Sequence, residues 1–195
     1  MKLNDVRLSF PRLYTAEDYQ GNKKFRYDAS FRVVKGSAAD KAIEAEIIAK
    51  ATADLGTAEK AKKWIATVRG QKNQDAYRAD PEDATIMVLS SHRAQKDGPP
   101  GVFDNIVDAN APADPVTGKK PVRRIAEGEG RVYAGCYVNA TVEIYVQTVG
   151  TTQGIRCGLQ AVQFHRDGDS FGGAKPANQA DFEAVEEGAD ADDIA

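Results

Sequence analysis

Arg131-Val132-Tyr133-Ala134-Gly135-Cys136-Tyr137-Val138-Asn139-Ala140-Thr141-Val142-Glu143-Ile144-Tyr145-Val146-Gln147 decides how this chain folds. Every even position from Val132 to Val146 is apolar, and the odd positions hold Arg131, Tyr133, Gly135, Tyr137, Asn139, Thr141, Glu143, Tyr145 and Gln147. A period of two marks a strand with one face committed to a core. Seventeen residues in one phase far exceed the usual strand length of ~5–6. Such a strand curls, and Gly135 is the position where a sharp bend is tolerated. A turn around Gly150–Gly154 leads into 155–164, which pairs antiparallel with it.

The same period recurs upstream. Val6, Leu8 and Phe10 alternate over residues 3–10, a strand ending at Pro11. Over 25–34, Phe25, Tyr27, Ala29, Phe31 and Val33 share one face, and Arg26, Asp28, Ser30 and Arg32 share the other. Gly36 breaks this strand, and Ser37 can cap a helix to about Asp54 with Ala42, Ile43, Ile47 and Ile48 as its apolar stripe. A second helix, capped by Thr57 and ending near Gly70, turns Ala61, Trp64, Ile65 and Val68 inward. Its other side is basic, with Lys60, Lys62, Lys63 and Arg69, continued by Lys72. Residues 84–90 read as a strand buried on both faces. Residues 91–121 read as long loops with at most one short strand at 102–107, and a stretch of that length has a function or is mobile. The fold class is α+β, mainly β. Five or more strands with helices between the early ones match a partly open antiparallel barrel of the OB type.

Charge divides the chain in two. It carries 26 basic and 29 acidic residues, a net charge of -3. Seven of the acids (Asp181, Glu183, Glu186, Glu187, Asp190, Asp192 and Asp193) follow Lys175, the last cation. Without them 26 cations face 22 carboxylates, so the preceding body carries +4. We expect a folded domain over 1–175 and a flexible acidic tail over 176–195, because a like-charged Gly/Ala-rich segment cannot bury enough apolar surface to fold. The tail residues Asp190, Asp192, Asp193 and Ile194 are candidates for binding a protein partner.

Several function classes are disfavoured. No apolar run approaches the ~20 residues that span a bilayer, so no membrane partner is expected. Cys136 and Cys157 provide neither a disulfide framework nor a zinc set, and Cys136 falls on the core face of its strand. His92 and His165 lack paired ligand spacing. No phosphate-binding or nucleophile-elbow motif is present. Asp104, Asp108 and Asp114 sit in a Pro/Gly-rich region as turn formers, so no metal and no cofactor are expected.

The remaining signal is aromatic and basic. Tyr133, Tyr137, Tyr145 and Arg131 on the odd face form a candidate stacking platform, tolerant of sequence because every base has a π-face. Arg26 and Arg32 on the early strand, with Lys119, Lys120, Arg123 and Arg124 before the long one, are candidates for phosphate neutralisation.

From residue 131 onward the chain resembles the Enc34-like bacteriophage single-stranded DNA-binding proteins, the group DUF2815. The residues that carry the resemblance are Tyr133, Gly135-Cys136-Tyr137-Val138-Asn139-Ala140, Gly154, Gly158-Leu159, Val162-Gln163, Arg166-Asp167-Gly168, Gly172-Gly173 and Phe182. Val6–Leu13 and Ala29–Lys35 are similar more loosely. The resemblance implies an OB fold, a part in phage replication or recombination, no cofactor and a place in the host cytoplasm. The ending Asp192-Asp193-Ile194-Ala195 is similar to the Asp-Asp-Ile-Pro-Phe peptide of bacterial single-stranded DNA-binding proteins, without the Pro-Phe that a partner pocket grips. We therefore expect a non-enzymatic, sequence-tolerant single-stranded DNA-binding protein. Its tail is expected to recruit replication or recombination partners, or to compete with DNA. The alternative is a phage structural or assembly protein.

Overall fold

The computed structural model describes residues 1–18, 21, 23–150 and 152–171. Everything expected of Gly172-Gly173, Phe182 and the acidic segment, including Asp190, Asp192, Asp193 and Ile194, lies outside the described residues.

Strand β1 (Lys2–Asp18) is much longer than its sequence pattern indicates. It pairs antiparallel with β2 (Phe25–Val34) along most of its length, and with β7 (Tyr137–Gln147) only through Lys2–Arg7. Its buried residues Leu3, Val6, Leu8 and Leu13 do not keep one phase. Asp5 (φ 50°) and Phe10 (φ 48°) stand in the left-handed region where the register shifts, each inserting one residue. The strand therefore passes Pro11 instead of ending there, because a bulge tolerates a residue without an N–H. Phe10, read as a core position, points outward instead.

Two helices follow β2. Helix α1 (Ala38–Leu55) starts where the Ser37 hydroxyl accepts from the Asp40 amide at 3.2 Å, and it stops at Gly56 in the left-handed conformation. Helix α2 (Ala58–Arg69) is capped by Thr57, whose hydroxyl accepts from Lys60 N. Ile43, Ile47 and Ala51 of α1 and Ala61, Ile65 and Val68 of α2 are buried. Ala42 is exposed, since the true stripe runs 43–47–51.

The remaining strands are β3 (Tyr77–Ala79), β4 (Ile86–Ala94), β5 (Gly101–Val107), β6 (Val122–Arg124) and β8 (Gly154–Arg166). They form one sheet in the order β3-β4-β2-β1-β7-β8-β5-β6. A parallel bridge between His92 and Gly158 joins β4 to β8 and closes β1, β2, β4, β7 and β8 into a five-stranded barrel. This is the expected OB-like architecture, with α1 and α2 between its early strands. On β4, Leu89 and Ser91 are buried while Ile86, Met87, Val88, Ser90 and His92 are half-exposed. Only one face of β4 is in the core.

The seventeen-residue pattern contains one strand of 11 residues preceded by an irregular lead. Even positions Val138, Ala140, Val142 and Ile144 are buried as expected. The phase breaks at Gly135, whose φ is 111°. Gly135 N donates to Leu8 O at 2.8 Å, and Leu8 N donates to Cys136 O at 2.9 Å, so the lead is laced to β1. The backbone of Asp169 and Ser170 crosses directly over Gly135, where a Cβ would collide with the Asp169 carbonyl. Gly135→Ala should therefore cost about 3 kcal/mol or more, combining backbone strain with this collision. The melting temperature should fall by roughly 6–12 °C. An unchanged melting curve would mean that the 168–171 strap lifts off freely.

Candidate nucleic-acid interface

Because β1 pairs on both sides, residues from six strands line up across the outer surface. Arg166 stands opposite Tyr137, Tyr137 opposite Arg7, and Arg7 opposite Arg32. Arg32 in turn faces Val88, and Val88 faces Arg78. At ~4.8 Å per strand this row spans about 24 Å of curved surface. A second row is Ser9, Ser30 and Ser90; a third is Arg12, Asp28 and His92, with Arg26 beside it. Small hydroxyl side chains thus form a shallow floor between two lines of guanidiniums.

All but one of these guanidiniums are anchored, each differently. Arg166 Nε donates to Asp5 at 2.9 Å, and its guanidinium lies 3.4 Å from the centre of the Tyr137 ring. Arg7 donates to two backbone carbonyls, Gly135 at 3.2 Å and Asp169 at 2.8 Å, and stacks on Phe171 at 4.3 Å. Arg32 donates to Asp80 at 2.5 Å and also lies over Phe171. Backbone N–H groups of Glu82 and Asp83 donate to Asp80 and, with Arg32, hold its carboxyl below the usual range. Arg12 pairs with Glu17 and Arg26 with Asp28. Arg78 has no ion pair among the described residues. Six guanidiniums (Arg7, Arg12, Arg26, Arg32, Arg78, Arg166) thus face five carboxylates (Asp5, Glu17, Asp28, Asp80, Asp83), which leaves the surface positive. Burial and the nearby Arg26 push His92 below its ordinary pKa, so it adds no charge at neutral pH.

The candidates read from sequence separate into groups. Arg26 and Arg32 lie on this surface. Tyr137 does too, half-buried and covered by Arg166. Tyr133 does not: it is 8% exposed, packs in the core, and donates from its hydroxyl to Asp167 or Gly168, both at 2.9 Å. The phase break at Gly135 turns it inward. Tyr145 is 41% exposed but eight positions further along β7, ~27 Å from Tyr137 if the strand were straight. Arg131 is no platform residue. Its Nε donates to the buried Asp104 at 3.0 Å, and its guanidinium covers Phe164.

Arg123 donates to the same carboxylate at 2.7 Å and to Glu129 at 2.6 Å. Burial raises the pKa of Asp104, which is 0% exposed, but hydrogen bonds from Arg123, the Asn105 amide and Arg131 outweigh it and hold the carboxyl below its usual range. Both arginines are thereby committed to the fold. Arg124 is exposed over Phe103, at the end of a row that continues through Gln163 to Asn139 on β7. Lys120 reaches back to Ala109 O at 2.6 Å, and Lys119 is exposed on the same arm. The 119–124 cluster does not join the arginine row. Asp108 and Asp114 accept backbone amides of their own turns, as turn formers do.

Arg7, Arg12, Arg78, Arg166, Phe10 and Phe171 were not among the site residues expected from sequence, although the Arg166-Asp167-Gly168 motif and, more loosely, Val6–Leu13 carried the family resemblance. Pairing across strands brings the arginines together, and Phe171 joins them by resting on Arg7 and Arg32.

Comparison with known proteins bears on the family and the fold. The family model described as "Enterobacter phage Enc34, ssDNA-binding protein" matches residues 1–194. A putative protein, p50, of Acyrthosiphon pisum secondary endosymbiont phage 1 is 30% identical over 190 residues, covering 94% of this chain and 92% of its own. The single-stranded DNA-binding protein of bacteriophage Enc34, in complex with ssDNA, superposes with a TM-score of 0.61 at 17% identity over 88% of each chain. The single-stranded DNA-binding protein gp2.5 of bacteriophage T7 gives 0.51 at 12% identity, covering 91% of this chain and 97% of that one. At these identities the structural likeness is one of fold, whereas the family match runs through almost the whole sequence. The chain belongs to the family of the Enterobacter phage Enc34 single-stranded DNA-binding protein.

Proposed function

We propose that this chain binds single-stranded DNA without strong sequence preference, during phage DNA replication or recombination in the cytoplasm of the infected host. Its family is one of binding proteins, not enzymes. The observation that carries the reading is the cross-strand row of Arg166, Tyr137, Arg7, Arg32 and Arg78. Anchored guanidiniums spaced along one path neutralise successive phosphates, and their carboxylate partners hold them in place without cancelling the surface charge. Nothing in the row distinguishes one base from another. Tyr137 and Tyr145 add aromatic surface, and Arg124, Lys119 and Lys120 supply peripheral cations.

Arg78→Ala is the clean test of this path, because Arg78 makes no ion pair or side-chain hydrogen bond among the described residues. Affinity should fall equally for dT and dA oligomers in fluorescence polarisation. The slope of log K against log salt should shrink by ~0.7, the value of one neutralised phosphate on a single strand. A loss confined to one base would indicate direct base readout instead.

The acidic segment belongs to the same proposal, as a competitor for the arginines and a ligand for replication or recombination proteins through Asp190, Asp192, Asp193 and Ile194. Phe171, the last described residue, rests on Arg7 and Arg32 of the proposed DNA path. Deleting 176–195 changes the net charge from -3 to +4. The shortened protein should bind oligo-dT more tightly at low salt, with the advantage shrinking as salt screens exposed charges. Equal affinity at every salt concentration would remove the competition from the proposal.

A further inference from the structure

Phe10 is 77% exposed and its φ is 48°. A bulky L-residue in the left-handed region carries strain of ~1–2 kcal/mol, and Pro11 restricts the residue before it further. Glycine would serve this bulge without strain. The fold gains nothing in return, since the ring is absent from the core. A side chain the fold does not use thus sits on a backbone that the fold strains to hold.

Its surroundings suggest the use. Phe10 and Pro11 separate the pair Ser9–Ser30 from the pair Arg12–Asp28. The ring borders a depression of about 240 Å³ shared with Arg12, Arg26, Arg78, Asp28, Ser30 and Ser90. Small hydroxyls floor it, and at its rim three guanidiniums outnumber the one carboxylate, Asp28. A planar group fits between ring and floor while its charged backbone meets the rim.

We propose that Phe10 is the specificity-determining residue of the DNA path, a stacking wedge that selects unpaired strands over duplex. The inference rests on the single-strand binding proposed above. The arginines neutralise phosphates of either form, so they discriminate poorly. An aromatic ring held out from the sheet needs a free base face, and in a duplex both faces are covered by neighbouring bases. The wedge tolerates any base, since each presents a π-face.

The test uses full-length protein and the variants Phe10→Gly and Phe10→Trp. Three probes of equal length are titrated: oligo-dT, its fully abasic counterpart and a duplex. Phe10→Gly should weaken oligo-dT binding by roughly five- to 150-fold, the equivalent of one base–aromatic stack. Its affinity for the abasic strand and duplex should match that of the unsubstituted protein, and its melting temperature should be equal or higher, because the strain is gone. Phe10→Trp should retain oligo-dT binding, and its added indole fluorescence should be quenched by oligo-dT but not by the abasic strand. A lower melting temperature for Phe10→Gly would make the ring structural and overturn the inference. An equal loss on all three probes, or no loss on oligo-dT while Arg78→Ala still weakens it, would also overturn the wedge. Unsubstituted protein that binds oligo-dT no tighter than duplex would overturn the single-strand reading along with it.

Discussion

The constraint on which the rest depends is that β1 must serve two neighbours whose demands conflict. Its first residues complete the barrel against β7, while from Arg7 to Asp18 it pairs with β2. A strand of uniform phase cannot keep an apolar side inward along both a closed barrel and an extended hairpin. Left-handed residues at Asp5 and Phe10 resolve the conflict by resetting the phase, so that Leu3, Val6, Leu8 and Leu13 all reach the core. The outward residues Arg7 and Arg12 then fall into register with Arg32 and Asp28. The arginine row is a by-product of register, not of clustering along the chain.

The same register explains how the surface remains both rigid and cationic. Lys and Arg side chains lose much rotamer freedom when they bind a ligand. Here most guanidiniums of the row are already held by a carboxylate, a backbone carbonyl or an aromatic ring. Arg7 differs from its neighbours because its hydrogen bonds go to carbonyls and its plane to Phe171, which orient it while leaving its charge formally uncompensated. Asp104 illustrates the opposite use of arginine. Two guanidiniums from the β6 region converge on one buried carboxylate, and the β5–β6 arm is fastened to the barrel at their expense as ligands.

Much of this was legible in the sequence, for identifiable reasons. The alternation in β2 and in 137–147 reads directly as half-buried strand, and Ser37, Thr57 and Gly56 mark helix ends by their local chemistry. Arg26 and Arg32 were placed correctly because their strand has one uninterrupted phase. Tyr133 and Phe10 were misplaced because a single residue in the left-handed region flips everything beyond it, and a non-glycine bulge leaves little trace in composition. Arg123 and Arg131 looked like free cations because their shared partner, Asp104, lies far away in sequence and was read as a turn former. A carboxylate that pairs at long range looks no different from one that shapes a loop.

Pro11 has a consequence beyond the bulge it follows. Past Leu8, the side of β1 turned away from β2 forms no ladder among the described residues. An open strand margin of this kind invites another chain to add itself on, and crowding many copies along one polymer would make such additions frequent. A residue with no amide hydrogen, placed beside a kink that twists the margin out of plane, spoils the template where it begins. The margin is thereby kept from templating a further strand.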